Sequence, residues 1–175
     1  MTTPAPYAVD TLIAQARRLA AEFRKVTGKP LPVSSEIAQY DASRLLDLEL
    51  VHPGMGGYDA IGRGPRAGQR VQIKGRAILD EQRVGHRIGQ LKLDQAWDIL
   101  VLVLMDAQFE PLEIYQANRQ VIEESLSSTA NNRRDRRGAM SVARFKNIAR
   151  LVWSRERGLE AHSCLDKGLS QNPKR

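Results

Sequence analysis

The chain has 175 residues, 42% hydrophobic and 27% charged, which suits one domain around a single core and leaves too little for two full domains. Cys164 is the single cysteine, so an internal disulfide is excluded and a reducing, cytoplasmic setting is expected. Met1–Pro6 lacks a basic-then-apolar leader and the apolar run Ile99–Met105 is far too short to span a bilayer, so neither a secreted nor a membrane class is expected.

The first predicted element is an amphipathic helix over Val9–Val26. Val9, Leu12, Ile13, Ala16, Leu19, Ala20 and Phe23 recur at helical spacing, with Arg17, Arg24 and Lys25 outside that stripe. Gly28 and Pro30 end it. Ser34 or Ser35 is the expected N-cap of a second helix, from about Glu36 to Leu46, burying Ile37, Ala38, Ala42 and Leu45. A short strand is expected at Leu48–Val51, then a glycine-rich loop over Pro53–Gly57. Tyr58–Ile61 and Arg70–Lys74 read as a hairpin whose long turn is the Gly- and Pro-rich stretch Gly62–Gln69. Alternation in the second strand puts Val71 and Ile73 on a packed face, with Gln72 and Lys74 on a polar one.

Residues 79–95 are polar and basic and read as a flap carrying Arg83, His86 and Arg87. Ile99–Met105 is wholly apolar, as expected of a central strand covered on both faces. Leu112–Ala117 is its expected neighbour, and Asn118–Leu126 reads as a helix. Ser127–Gly138 is an arginine-rich linker. Ser141 is the expected N-cap of a basic helix running to about Trp153, which buries Val142, Phe145, Ile148 and Ala149 and turns Arg144, Lys146 and Arg150 outward. The expected organisation is one domain over 1–157, with a core at about 34–117, a basic helical region at 131–153, and a flexible tail at 158–175.

Charge is uneven along the chain. Residues 1–130 hold 15 Lys+Arg against 16 Asp+Glu, a net of −1, whereas residues 131–175 hold 12 against 4, a net of +8. A basic region of this kind suits a polyanion, because each Lys or Arg near a phosphate releases condensed counterions. Arg133, Arg134, Arg136, Arg137, Arg144, Lys146 and Arg150, joined by Arg87 of the flap, are the candidate phosphate contacts, which position a backbone rather than read bases.

Asp59, Gln72 and Lys74 carry the expected chemistry. A hairpin brings its two strands to within about 5 Å, so an acid, an amide and an amine converge, and Glu36 near the start of the preceding helix adds a second carboxylate. Such a group suits Mg²⁺ (or Mn²⁺), which prefers oxygen ligands. Asp59, the Gln72 amide oxygen, the Ile73 carbonyl and Glu36 are the candidate ligands, with Lys74 placed to orient and deprotonate a water for attack on phosphorus.

Three segments then carry a resemblance: Ser35-Glu36-Ile37-Ala38-Gln39-Tyr40-Asp41-Ala42, Gly57-Tyr58-Asp59-Ala60, and Arg70-Val71-Gln72-Ile73-Lys74-Gly75. Over roughly residues 34–117 the chain resembles the core of the PD-(D/E)XK nuclease superfamily. That pattern is a helix bearing Glu, a strand bearing Asp, a strand bearing (D/E)-x-K, then another helix and strand. Tyr58 stands where the pattern has proline, and Gln72 where it has an acid. The resemblance implies an α/β fold of restriction-endonuclease-like type, a central mixed sheet flanked by helices, with an N-terminal helix and a basic C-terminal helix. It also implies a metal-dependent DNA endonuclease with Glu36, Asp59 and Gln72 at the metal and Lys74 as catalytic lysine. A homodimer is a further expectation, since a duplex cutter often needs two active sites. The alternatives are a catalytically inactive nucleic-acid-binding module on the same fold, or a protein-interaction protein.

Overall fold

The computed structural model describes residues 8–52, 56–79, 85–127 and 140–160. Two helices come first, α1 (Val9–Thr27) and α2 (Ser34–Leu46). Strands β1 (Leu48–Leu50), β2 (Ala60–Gly62), β3 (Arg70–Ala77), β4 (Ile99–Met105) and β5 (Pro111–Asn118) follow, with a 3₁₀ turn at Gly64–Arg66 between β2 and β3. Helices α3 (Arg119–Ser127) and α4 (Val142–Ile148) lead to β6 (Arg150–Ser154) and β7 (Gly158–Leu159). The fold is α/β, with one mixed seven-stranded sheet whose spatial order follows the chain, β1-β2-β3-β4-β5-β6-β7.

Only β3 and β4 pair in parallel, Val71 to Ala77 against Ile99 to Met105. Every other neighbouring pair is antiparallel. A parallel pair needs a long crossover, and residues 78–98 supply it. The described part of that crossover contains no helix, which corrects the helix that the resemblance implied there; its single pairing is an isolated bridge from Arg87 to Ser141.

β4 is buried along its whole length, as an apolar strand covered on both faces should be. One core forms on the α2 side, from Ile37, Ala38, Ala42, Val71, Ile73, Val101 and Val103. A second forms on the opposite face, from Ile88, Leu91, Trp97, Leu100, Leu102, Tyr115, Ile122 and Phe145. The Gln72–Lys74 side of β3 is therefore covered by the crossover rather than open and polar as alternation alone predicted. Gln72 is only 1% exposed.

Three further expectations are corrected. α2 starts at Ser34 after Val33, without a side-chain cap, and the Ser34 carbonyl lies over β3: a Cβ at Gly75 would stand 2.4 Å from it. Ser141 does cap α4, accepting from the Arg144 N–H at 3.2 Å, but the helix stops at Ile148. Ala149 turns extended at φ −99°, ψ 159°, and Arg150–Ser154 pairs with the free edge of β5, where its branched and aromatic residues suit a strand. In α1 most of the predicted apolar stripe stays outside: Val9, Leu12, Leu19 and Phe23 are exposed and Ile13 and Ala16 half-buried, while of its members Ala20 alone is buried, together with Arg17. Arg17 binds Asp41 of α2 at 2.5 Å and also donates to the Phe109 carbonyl, and this polar anchor turns the helix. Among the described residues no helix is long and apolar enough to cross a membrane.

Candidate functional site

Asp59 immediately precedes β2, whose pairing with β3 begins at Ala60 opposite Val71. Its N–H donates to the Val71 carbonyl at 2.8 Å, and its carbonyl accepts from the Val51 N–H at 3.1 Å. The side chain therefore lies against the β3 edge, where Oδ2 accepts from the Ile73 N–H at 2.7 Å. Gln39 of α2 reaches the other oxygen, Nε2 to Oδ1, at 3.4 Å. Gly57, at φ +81°, makes this approach possible: a Cβ there would stand 2.4 Å from the Gln95 side chain. The chain before Asp59 thus runs directly beneath the crossover, in a conformation that favours glycine.

In a strand, the N–H and C=O of one residue face the same edge. The Ile73 carbonyl therefore faces the side on which the Asp59 carboxylate sits. Lys74, next along β3, is half-buried. Burial pulls its ammonium below the ordinary lysine range; the Asp59 carboxylate opposes this, and the Lys92 ammonium reinforces it. Gln72 is buried with neither Oε1 nor Nε2 hydrogen-bonded. A buried polar group without a partner costs about 1–3 kcal/mol, so this amide is an anomaly at the point where the chemistry was expected.

The Asp59 carboxylate, the Ile73 N–H and Lys74 are thus brought together at the β2 side of β3, with Gln39 and Lys92 beside them, whereas Gln72 shares the face of Leu100, the one that the crossover covers. Glu36 stands apart. It is exposed in the first turn of α2, one turn before Gln39, and among the described residues no hydrogen bond or ion pair joins it to the other four. No three His, Cys, Asp or Glu side chains converge among the described residues. A hard cation here would instead rely on one carboxylate, one amide oxygen and one main-chain carbonyl, with Glu36 acting through water. The unpaired Gln72 oxygen fits that donor set.

Arg133, Arg134, Arg136 and Arg137 lie outside the described residues. Two of the remaining cations are engaged within the domain, which corrects their expected outward display. Arg144 donates to Ser125 Oγ at 3.0 Å and to the Ser125 carbonyl. Lys146 pairs with Glu113 at 2.8 Å and lies 4.8 Å from the centre of the Tyr115 ring. Arg150 and Arg87 are exposed, and the His86 carbonyl accepts from the Val142 N–H at 2.8 Å. Sequence reasoning missed two residues. Gln39 had a signal, since it follows Glu36 at helical spacing. Lys92 had none, because it arrives from a loop. No protein-family model matches the chain, and no curated protein matches it.

Proposed function

We propose that the chain is a metal-dependent DNA endonuclease with a PD-(D/E)XK-like, restriction-endonuclease-like core, acting in the cytoplasm. The buried Gln72 amide carries the reading: neither of its polar atoms is hydrogen-bonded among the described residues, and it stands in β3 between Val71 and Ile73, whose N–H holds the Asp59 carboxylate that acts on the half-buried Lys74. Asp59, Gln72 and the Ile73 carbonyl would hold Mg²⁺ or Mn²⁺, with Glu36 linked through water. When bound, the cation would supply charge stabilisation to the phosphate undergoing attack. Gln39 and the Ile73 N–H fix the Asp59 carboxylate. Lys74 would place Nζ beside the attacking water, to orient it and assist its deprotonation. The succession of α2, β2 and β3 supports the resemblance; β1 between them and the described part of the crossover, which contains no helix, do not.

Incubation of plasmid, linear and branched DNA with the protein, with and without Mg²⁺ or Mn²⁺, tests this. Cleavage should require the metal and fall by about 10²- to 10⁴-fold in Lys74→Ala and Asp59→Ala. Cleavage that survives both substitutions would remove the site from the reaction. Salt-sensitive DNA binding in chelator, without cleavage under any metal, would favour the inactive binding module. Failure to bind any DNA would favour a protein-interaction role.

A homodimer belongs to the same proposal. Val9, Leu12, Ala16, Leu19, Phe23 and Val26 recur at alternating steps of three and four along α1. That is a coiled-coil period, and it lies on the outer face. Two such stripes would bury on the order of 1,000 Å² in all, the lower end for a stable pair. Light scattering should report a dimer that Leu19→Glu dissociates.

A further inference from the structure

Most arginines of the described domain that are hydrogen-bonded through their side chains meet an acid. Arg17 has Asp41 and Glu110, Arg63 has Glu49, Arg70 has Asp98, Arg119 has Glu123, and Arg155 has Asp106. Arg66 does not. It is 6% exposed, and no carboxylate lies within ion-pair reach among the described residues. Its only side-chain hydrogen bond there runs from Nε to Gln116 Oε1, at 2.7 Å. The nearest charge that acts on it is another cation, Arg150, which adds to burial in disfavouring its protonated form. A guanidinium stays charged at any ordinary pH, and burying it uncompensated costs several kcal/mol.

The placement of Arg66 is nonetheless built. It closes the 3₁₀ turn, its N–H donating to the Arg63 carbonyl at 3.0 Å while its own carbonyl accepts from the Gln69 N–H at 3.0 Å. Its backbone and Cβ lie so close to Gly62 that a Cβ there would come within 2.2 Å. Gln116, which receives Nε, stands directly opposite Arg150 in the β5–β6 register. A rigid turn therefore aims one guanidinium, with its Nη groups unbonded among the described residues, beside a second, exposed one.

We infer that Arg66, Gln116 and Arg150 form an oxyanion subsite that holds a phosphate group. Two guanidinium forks match the oxygens of a phosphate, and such an anion would neutralise a charge that the chain itself leaves uncompensated. Assigning the phosphate to a DNA backbone rests on the nuclease reading. Ile73, Val101, Gln116 and Arg150 stand in one row across β3 to β6, so Arg150 lies about 14 Å from Ile73 at ordinary strand spacing. The subsite would anchor the backbone away from the bond that is cut.

The test uses the full chain in chelator. Binding of a duplex oligonucleotide is followed by fluorescence anisotropy over a salt series, and the melting temperature is followed with and without inorganic phosphate. Arg150→Ala should weaken DNA binding by about tenfold, the loss of one charge-assisted contact, and should flatten the log–log salt slope by about 0.9. Arg63→Ala, from the same loop but paired with Glu49, should change neither. Arg66→Met should bind as weakly as Arg150→Ala, yet melt no lower than the native chain, because its buried charge is gone. If Arg66→Met fails to fold, Arg150→Ala alone decides. Native binding and slope in Arg150→Ala, with cleavage intact, would overturn the subsite and leave the nuclease reading standing. A native chain that ignores DNA but is stabilised by inorganic phosphate, where Arg150→Ala is not, would keep the subsite, identify a free phosphate as its ligand, and count against the nuclease. A native chain indifferent to both would overturn the subsite.

Discussion

At the residue scale, the proposed role of Gln72 sets stability against function. Its unpaired amide costs the fold about 1–3 kcal/mol while it is only 1% exposed. Gln72→Met keeps the volume and removes the polar atoms. It should raise the melting midpoint in chelator by a few degrees, about 2–4 °C per kcal/mol for a chain of this size, while abolishing metal-dependent cleavage. A lower midpoint would mean that the amide has a structural partner after all. The spacing from Asp59 to Gln72 and Lys74 made the approach of Asp59 to β3 legible, because a hairpin suffices to bring it beside Ile73 and Lys74. The burial of Gln72 was not legible. It depends on Ile88, Leu91 and Trp97 folding back from the crossover, and nothing local in Arg70–Lys74 announces that cover.

At the element scale, the two helices are held in different ways. α2 lies so close to β3 that a methyl at Gly75 would stand 2.5 Å from the Ala38 Cβ and 2.4 Å from the Ser34 carbonyl. Gly75→Ala should lift the helix and cost about 1–3 kcal/mol, as overpacking does, read by chemical denaturation. Asp59 should lose its Gln39 contact in the same variant. α1 depends on the buried Arg17–Asp41 pair. Asp41→Ala removes the buried partner of Arg17, leaving it Glu110 at 3.6 Å and the Phe109 carbonyl, and should cost about 1–3 kcal/mol, with hydrogen exchange in α1 rising far more than in β4. Arg17→Met/Asp41→Leu should recover most of that loss. The extent of α1 and α2 was readable from apolar spacing and from Gly28. The rotation of α1 was not, since an arginine read as a surface residue turned out to face the core. The end of α4 was misread for a related reason: helical spacing continues through Ala149, but an unpaired edge of β5 claims the residues beyond it.

At the scale of the whole molecule, the sequence announced an α/β domain with a buried central strand, whereas the sheet order needed the pairings themselves. β3 and β4 are clamped at their starts by Arg70 and Asp98, through two side-chain contacts of 3.0 and 2.7 Å and an Arg70 N–H bond of 2.8 Å. The Arg70 guanidinium beside Asp98 holds its carboxyl well down, at about 2. This folded value lies below the ordinary 3.9. The clamp is therefore fully present above about pH 4, and its contribution is lost as the pH falls towards 2. With the Asp98 side chain 38% exposed, solvent screening keeps the loss to about 1 kcal/mol or less. Asp98→Asn should flatten stability over that interval; an unchanged acid limb would remove the clamp from the account. Asp98 also tethers the start of α3, its carbonyl accepting from the Arg119 N–H. The topology itself divides the molecule into two antiparallel meanders, β1–β3 and β4–β7, stitched along one parallel seam. Asp59, Gln72 and Lys74 all belong to the first meander, while Arg66 crosses the seam to reach Gln116 in the second. Closing that seam requires residues 28 apart in the chain, Val71 and Ile99, to meet first, and such closures come late relative to hairpins. A nascent chain would thus seat Asp59 against β3 before Arg66 could reach Gln116, so that contact would report completed assembly.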